Sequence, residues 1–401
     1  MKRLLPALHI VAVIALCLFI ISCGNSTKTI GPKPGEDPAV TDDDSSPADP
    51  VDSEPADSGD TQTPTDTGDT GNPTDTGDTE EPADTGLSDT GEPTDADDSE
   101  PSDTGDPTVG EADVFQMGPY TVNFVDMPKN QSGAARDFRI YVPAGVAGKV
   151  PVIHFQHGFQ LKYTYYDDVL IHLASHGFIV VSSQSEHKLM GGDTSIKEAV
   201  KVAEFIAYIK SNIADSLPNL DVDIENFGVA GHSRGGKVTN RVLNSDPEIA
   251  KAFFGLDPVD TQPAMTNDPL SMNDPVQFHG PSMFLGAEKG PDGLLEQAAC
   301  APSGENSVNF YAGFPSPSWH FIVAGVGLMD MLDANDVSDC GLTCSVCAKS
   351  GNNDLNAQFR NYSGGVMTAF FNYSLKGMES GKAVLDDPAS HPIALTVFEY
   401  K

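Results

Sequence analysis

Positive charge and tryptophan are scarce in this chain of 401 residues: 23 Lys+Arg stand against 58 Asp+Glu, the formal net charge is −35, and there is one Trp. The lack of bases excludes a nucleic-acid partner, because phosphate binding needs a basic footprint. The shortage is uneven. Between Lys33 and Asp113 there are 27 acidic residues, one basic residue and no aromatic, a charge of −26. Such a segment has too little apolar surface to offset the entropy of ordering it. Residues 114–401 carry only −12, ordinary for an acidic folded domain. The chain therefore divides into a leader at 1–22, an acidic tether at 23–113 and a folded domain at 114–401.

In the leader, Lys2 and Arg3 precede an apolar run from Leu4 to Ile21, which ends in Ile20-Ile21-Ser22-Cys23-Gly24. A charged start, an apolar stretch and a small residue before the cut mark an exported precursor. The segment resembles a bacterial lipoprotein signal, which implies that Cys23 becomes a diacylated N-terminus anchoring the chain to a membrane. Gly24, with no Asp after the cysteine, suits outer-membrane sorting if the host is Gram-negative, with the domain outside the cytoplasm. An uncleaved transmembrane anchor is the rival, since the run is near the lower length limit for crossing a bilayer.

The tether repeats Pro-Thr-Asp-Thr-Gly-Asp-Thr at Pro64 and at Pro73 and then decays through Pro82, Pro93 and Pro101. No position in the repeat is regularly apolar, so stacking would bury nothing, and the inward-facing apolar position of a calcium-binding β-roll is missing. Like charges and prolines extend such a segment, to a ceiling of roughly 270 Å for about 80 residues at ~3.4 Å each.

Of six cysteines, Cys17 leaves with the leader and Cys23 is acylated, which leaves Cys300, Cys340, Cys344 and Cys347. Outside the cytoplasm these four read as two disulfides, with three pairings open. Zinc is the rival, weakened because Cys340-x3-Cys344-x2-Cys347 lacks a second compact pair.

From Val114 onward β-rich runs alternate with helical ones, which predicts an α/β domain with a mainly parallel sheet and helices on both faces. Strands are expected at Tyr120–Val125 and Phe138–Val142 as a leading antiparallel pair. Further strands are expected at Val150–Phe155, Phe178–Ser182, Phe227–Ala230, Ala252–Leu256, Ser282–Leu285 and Trp319–Val323. Helices are expected at Tyr165–Ser175, Ser195–Asn212, Gly235–Leu243 and Gln358–Leu375.

Gly231-His232-Ser233-Arg234-Gly235 fits G-x-S-x-G between a buried strand and a helix, the context of a nucleophile elbow. Glycine on both sides is required where strand turns into helix so tightly that a side chain would clash, and the strain lifts the Ser233 hydroxyl clear of the sheet. Upstream, strand Val150–Phe155 runs into Gln156-His157-Gly158-Phe159. In hydrolases of this fold such a loop gives one backbone N–H to an oxyanion hole, here that of Phe159, and the residue after the nucleophile, Arg234, gives the other. His157 reads as a loop-packing residue. Asp257, 24 positions after Ser233 at the end of the next strand, sits on the face where open α/β sheets bind ligands and could orient an imidazole. Asp292 and Glu288 are the rival acids.

Taken together, Phe155-Gln-His-Gly-Phe159, His172-Leu-Ala-Ser-His-Gly-Phe-Ile-Val-Val181, Gly231-His-Ser-Arg-Gly-Gly236, Gly255-Leu-Asp-Pro-Val-Asp260, Cys300-Ala-Pro302, Asp330-Met-Leu-Asp333 and Gly364-Gly365 resemble a chlorophyllase-type α/β-hydrolase. Bacterial cutinases and polyester hydrolases are a more distant likeness. The resemblance implies an α/β-hydrolase fold, Ser233 as nucleophile, Asp257 as acid, and hydrolysis of a small hydrophobic carboxylic ester through an acyl-enzyme without metal or cofactor. It implies no pigment substrate, since folds of this kind host many esters.

One position departs from the family. The catalytic histidine is expected directly before Met329-Asp-Met-Leu-Asp333, and this chain has Gly327-Leu328. Leucine accepts no proton, and serine without a base is a poor nucleophile. His187, His320 and His391 are the candidates for a relocated base. Two readings follow: a serine hydrolase, weakened unless one of them reaches Ser233, and a hydrolase-fold lipoprotein that binds or scaffolds without turnover.

Overall fold

The computed structural model describes residues 113–187, 192–261, 268–292, 299–333 and 341–401. The leader, Cys23, the tether up to residue 112 and Cys340 lie outside the described residues. In chain order the strands are β1 (Val122–Met127), β2 (Phe138–Pro143), β3 (Lys149–Gln156), β4 (Ile179–Ser183), β5 (Asp221–Ser233), β6 (Ala252–Pro258), β7 (Ser282–Ala287), β8 (Ser318–Val323) and β9 (Leu395–Tyr400). The helices are α1 (Lys129–Ser132), α2 (Asp167–Ser175), α3 (Ser195–Ser216), α4 (Arg234–Ser245), α5 (Ser307–Gly313), α6 (Gly341–Val346), α7 (Asn353–Lys376) and α8 (Glu379–Asp386).

These strands form one sheet in the order β1-β2-β4-β3-β5-β6-β7-β8-β9. β2 is antiparallel to both β1 and β4, the run from β4 through β8 is parallel, and β9 closes the edge antiparallel to β8. The expected leading pair is present, shifted toward the C-terminus in β1. The Tyr120 N–H is bonded instead to the Ser175 carbonyl at the end of α2. β9 was not anticipated.

Side-chain alternation along the central strands explains why helices cover both faces. Ile153, Phe155, Ala230, Phe254 and Leu256 belong to one apolar cluster with Leu170 and Leu173 of α2 and Val366 and Phe370 of α7. Val150, Val152, Val229 and Phe253 belong to a second, with Val202, Ile206 and Ile209 of α3 and Val238 and Val242 of α4. The buried residues of α3 recur at helical spacing, and Thr194 caps its start by accepting the Lys197 N–H, as an amphipathic helix requires. This doubly covered, mainly parallel sheet is the α/β-hydrolase arrangement.

Chain order reverses at β3, which lies between β4 and β5. A crevice forms at such a switch point beyond the C-terminal ends of the strands. Gln156 at the end of β3 pairs with Gly231 near the end of β5, so the loop after β3 and the turn after β5 emerge side by side.

Cys300 is bonded to Cys347, and Cys344 is disulfide-bonded as well. That removes the thiolates a zinc site would need.

Candidate active site

β5 ends at Ser233 and α4 begins at Arg234, with no residue between them. Ser233 absorbs the whole change of direction at φ 52° and ψ −125°, a backbone conformation that costs about 1–3 kcal/mol for a residue with a side chain. The neighbouring glycines make the turn sterically possible. A Cβ at Gly231 would stand 2.5 Å from the Gly235 carbonyl, one at Gly235 would stand 2.1 Å from the Gln156 oxygen, and one at Gly236 would stand 2.6 Å from Pro258 Cβ. Ser233 is buried, 7% exposed.

The loop after β3 rests directly on this turn. A Cβ at Gly158 would lie 3.2 Å from Ser233 Cβ and 3.0 Å from His232 Nδ1. Its N–H donates to the Tyr166 hydroxyl (3.1 Å), and that hydroxyl donates to His232 Nδ1 (2.8 Å). His232 Nε2 then donates to the Leu328 carbonyl at 3.1 Å. Since a carbonyl only accepts, this chain fixes the His232 tautomer. Burial holds the His232 pKa down, at about 3, so the ring is neutral. His157 packs in the loop as expected: Nδ1 donates to the Gly158 carbonyl (2.8 Å) and Nε2 accepts the Ser185 N–H (2.7 Å). Phe159 follows Gly158 in this loop. Arg234, as the first residue of α4, has an N–H without an intrahelical partner. These are the two backbone groups expected to face an oxyanion.

Asp257 lies at the end of β6 with φ 39° and is 1% exposed. The Ala287 backbone bonds its carboxylate, and burial pushes its pKa up to about 7. Its Oδ2 has no hydrogen-bond partner among the described residues. The rival acids are elsewhere. Glu288 is exposed and accepts the Gly325 N–H at 2.7 Å, bracing the loop after β8, and Asp292 is an exposed turn residue. Asp260 is fully engaged with the Ser271 and Met272 backbone N–H groups.

None of the candidate bases is hydrogen-bonded to Ser233 among the described residues. His320 is a strand residue held by Glu399 (2.7 Å) and Ser307 (3.1 Å). His391 takes the Tyr362 hydroxyl at 2.8 Å and packs on Phe321. His187 does come to the loop after β3, but its Nε2 meets Glu198 Oε1 at 2.9 Å and its Nδ1 accepts the Gln160 N–H at 3.0 Å. Leu328 is 2% exposed and belongs to the apolar cluster that also holds Leu256, which precedes Asp257, and Ala287, whose backbone bonds the Asp257 carboxylate.

The segment after Leu328 is rigidly braced. Asp330 Oδ2 accepts the N–H groups of Gly327 (2.8 Å) and Ser350 (2.7 Å). Asp333 caps α2 by accepting those of Asp167 (2.7 Å) and Asp168 (3.1 Å).

Sequence reasoning missed two members of the site. Glu198 is a buried carboxylate that takes Arg234 Nε at 2.9 Å through Oε2, and its neighbours draw its pKa down to about 2 against the penalty of burial. Arg234 also donates to Asp268 Oδ2 at 2.7 Å. The available signal was a charge on an apolar stripe, because Glu198 stands four residues before Val202 on the buried face of α3. Tyr166, which links Gly158 to His232, carried no sequence signal.

A family model described as Chlorophyllase matches residues 110–401. Chlorophyllase-1 of Arabidopsis thaliana is 33% identical over 297 residues, covering 70% of this chain and 90% of that protein. Chlorophyllase-1, chloroplastic, of Citrus sinensis is 31% identical over 295 residues, 72% of this chain and 88% of that protein. Chlorophyllase-2 of Arabidopsis thaliana is 28% identical over 272 residues, 63% and 82% of the two chains.

Proposed function

The chain belongs to the chlorophyllase family, and from that premise we propose that it is a serine hydrolase of small hydrophobic carboxylic esters, working slowly because no base is bonded to Ser233 among the described residues. The observation that carries the reading is the Ser233 turn, strained to φ 52° and set against the Gly158 loop. Ser233 Oγ attacks the ester carbonyl and the N–H groups of Phe159 and Arg234 hold the oxygen as it becomes negative. The alcohol leaves, and water then releases the acyl group from Ser233. Proton removal from Ser233 is the step left unaided, since Leu328 stands where the family pattern expects histidine. Loss of one triad member leaves a residual acceleration of about 10³- to 10⁴-fold over water, from the oxyanion hole and binding.

A second reading is favoured by one observation, that the buried Oδ2 of Asp257 has no hydrogen-bond partner among the described residues: a lipoprotein that binds esters without turning them over. Purified mature chain treated with short p-nitrophenyl esters and a fluorophosphonate probe separates the two. Turnover and labelling abolished in Ser233→Ala support hydrolysis. Saturable ester binding with neither supports the second reading.

We place the domain outside the cytoplasm at a membrane, most simply the outer membrane, anchored through lipidated Cys23 and held off the surface by the tether. The support is the leader pattern and the charge of the tether. Membrane fractionation with radiolabelled palmitate tests it: Cys23→Ala should lose the label and leave the membrane, while deletion of residues 34–110 should leave ester hydrolysis unchanged.

A further inference from the structure

One carboxylate joins the two strands of backbone that would hold an oxyanion. Glu198, 3% exposed in the first turn of α3, receives His187 Nε2 on Oε1 (2.9 Å) and Arg234 Nε on Oε2 (2.9 Å). Arg234 directly follows Ser233. His187 Nδ1 accepts the N–H of Gln160 at 3.0 Å, and Gln160 directly follows Phe159. Because an amide N–H only donates, Nδ1 carries no proton and Nε2 donates to Glu198. Gln160 has φ 56°, a left-handed conformation that a side-chain-bearing residue holds only when its surroundings enforce it. The Phe159 ring lies on the His187 ring, with centroids 5.3 Å apart.

We propose that His187, held by Glu198, is a positioning residue for the ester site: it fixes the peptide groups around Phe159 against those around Arg234 so that both N–H groups meet one oxygen. This rests on the reading of Ser233 as the ester nucleophile. His187 is thereby distinguished from a replacement base, since both of its nitrogens are committed to other partners. An oxyanion exists only after attack, so loosening its donors lowers kcat and leaves KM nearly alone.

Two substitutions divide the imidazole between them. In His187→Asn the amide oxygen replaces Nδ1 as the acceptor for Gln160, while His187→Gln reaches toward Glu198 and leaves the Gln160 N–H without its partner. The mature chain and these variants, with His187→Ala, are compared in p-nitrophenyl butyrate hydrolysis and in amide hydrogen exchange of peptides covering 157–163. The expected result is a kcat lower by about 10- to 100-fold in the Gln and Ala variants, with KM within about twofold. Exchange at Gln160 should be at least about tenfold faster in both, whereas the Asn variant, which keeps the Gln160 bond and gives up the one to Glu198, should restore slow exchange and recover kcat only in part. The proposal is overturned if His187→Gln keeps slow exchange and full kcat, or if His187→Asn is as impaired as His187→Ala. Should the unaltered chain neither turn over ester nor label at Ser233, the hydrolase reading is what has failed. The exchange comparison then still decides whether His187 holds the loop, and unchanged exchange in His187→Gln overturns that too.

Discussion

His232 Nε2 donates a hydrogen bond to the Leu328 carbonyl at 3.1 Å. The residue before Ser233 thus holds the backbone of Leu328, the position at which the proposed reading expects a catalytic histidine. With Asp330 bracing Gly327 from the other side, position 328 is fixed by backbone bonds that do not depend on its side chain. Leu328→His should therefore place an imidazole at the site without rebuilding the loop. We expect a gain of about 10²- to 10⁴-fold in kcat for p-nitrophenyl esters. The gained rate should climb with pH through an imidazole pKa near ~6.5 and then level off. A rate unchanged in a folded Leu328→His protein would show that the position is out of reach of Ser233.

Asp257 supplies the companion test. Its pKa is about 7 in the folded protein against ~3.9 for an unfolded aspartate. Between those values the folded state binds more protons, so stability falls as pH rises from about 4 to about 7 and is level above. Asp257→Asn removes this titration and should be the more stable protein above pH 7, by at most a few kcal/mol at ~1.4 kcal/mol per unit. Asp333, also at about 7, keeps its share of the slope. Urea midpoints across pH 4–8 read the difference. In ester hydrolysis, Asp257→Asn should hardly change the parent rate and should cost about 100-fold or more in the Leu328→His background.

The parts legible in the sequence were those specified locally. Central strands declare themselves as short apolar runs, and the turn at Ser233 declares itself because only glycine fits at 231 and 235. The strand before it was read as Phe227–Ala230, yet β5 starts at Asp221, where acids interrupt the apolar pattern on the half-exposed part of the sheet. β9 escaped notice because an edge strand buries little: Leu395–Tyr400 has no fully buried residue. α2 was expected from Tyr165 but begins at Asp167, where Asp333, 166 residues away, supplies the cap. Tyr166 was illegible for the same reason, since its partners come from other elements, and Glu198 showed only as a charge on the buried stripe of α3, with its partners equally out of sight.

Gly235 should tolerate no side chain. A Cβ there would meet the Gln156 oxygen at 2.1 Å and the His157 oxygen at 2.7 Å, and both are backbone atoms at the end of β3 that cannot move without breaking strand pairing. We expect Gly235→Ala to destabilise the domain by roughly 3 kcal/mol or more and to abolish Ser233 labelling, read by thermal unfolding and by the fluorophosphonate probe. Gly304, by contrast, has a positive φ, and a Cβ there meets nothing within 4 Å. Gly304→Ala should lose only the backbone preference, about 1 kcal/mol, and keep full labelling.

The Cys300–Cys347 bridge closes a loop of 47 residues that contains β8 and the whole Leu328 segment. Loop-closure entropy assigns such a crosslink about 4 kcal/mol. The bridge also reaches the site, because Ala348, next to Cys347, packs its carbonyl where a Gly327 side chain would be, 1.9 Å from an added Cβ. Cys300→Ser with Cys347→Ser should therefore lower Tm by roughly 5–10 °C and speed amide exchange across residues 325–333, with a smaller effect on the 157–163 loop. In the Leu328→His background the same pair of substitutions should reduce the gained ester hydrolysis more than it reduces the parent's residual rate, because only the gained activity depends on where residue 328 is held. Equal losses in both backgrounds would show that the bridge stabilises the fold without positioning the site.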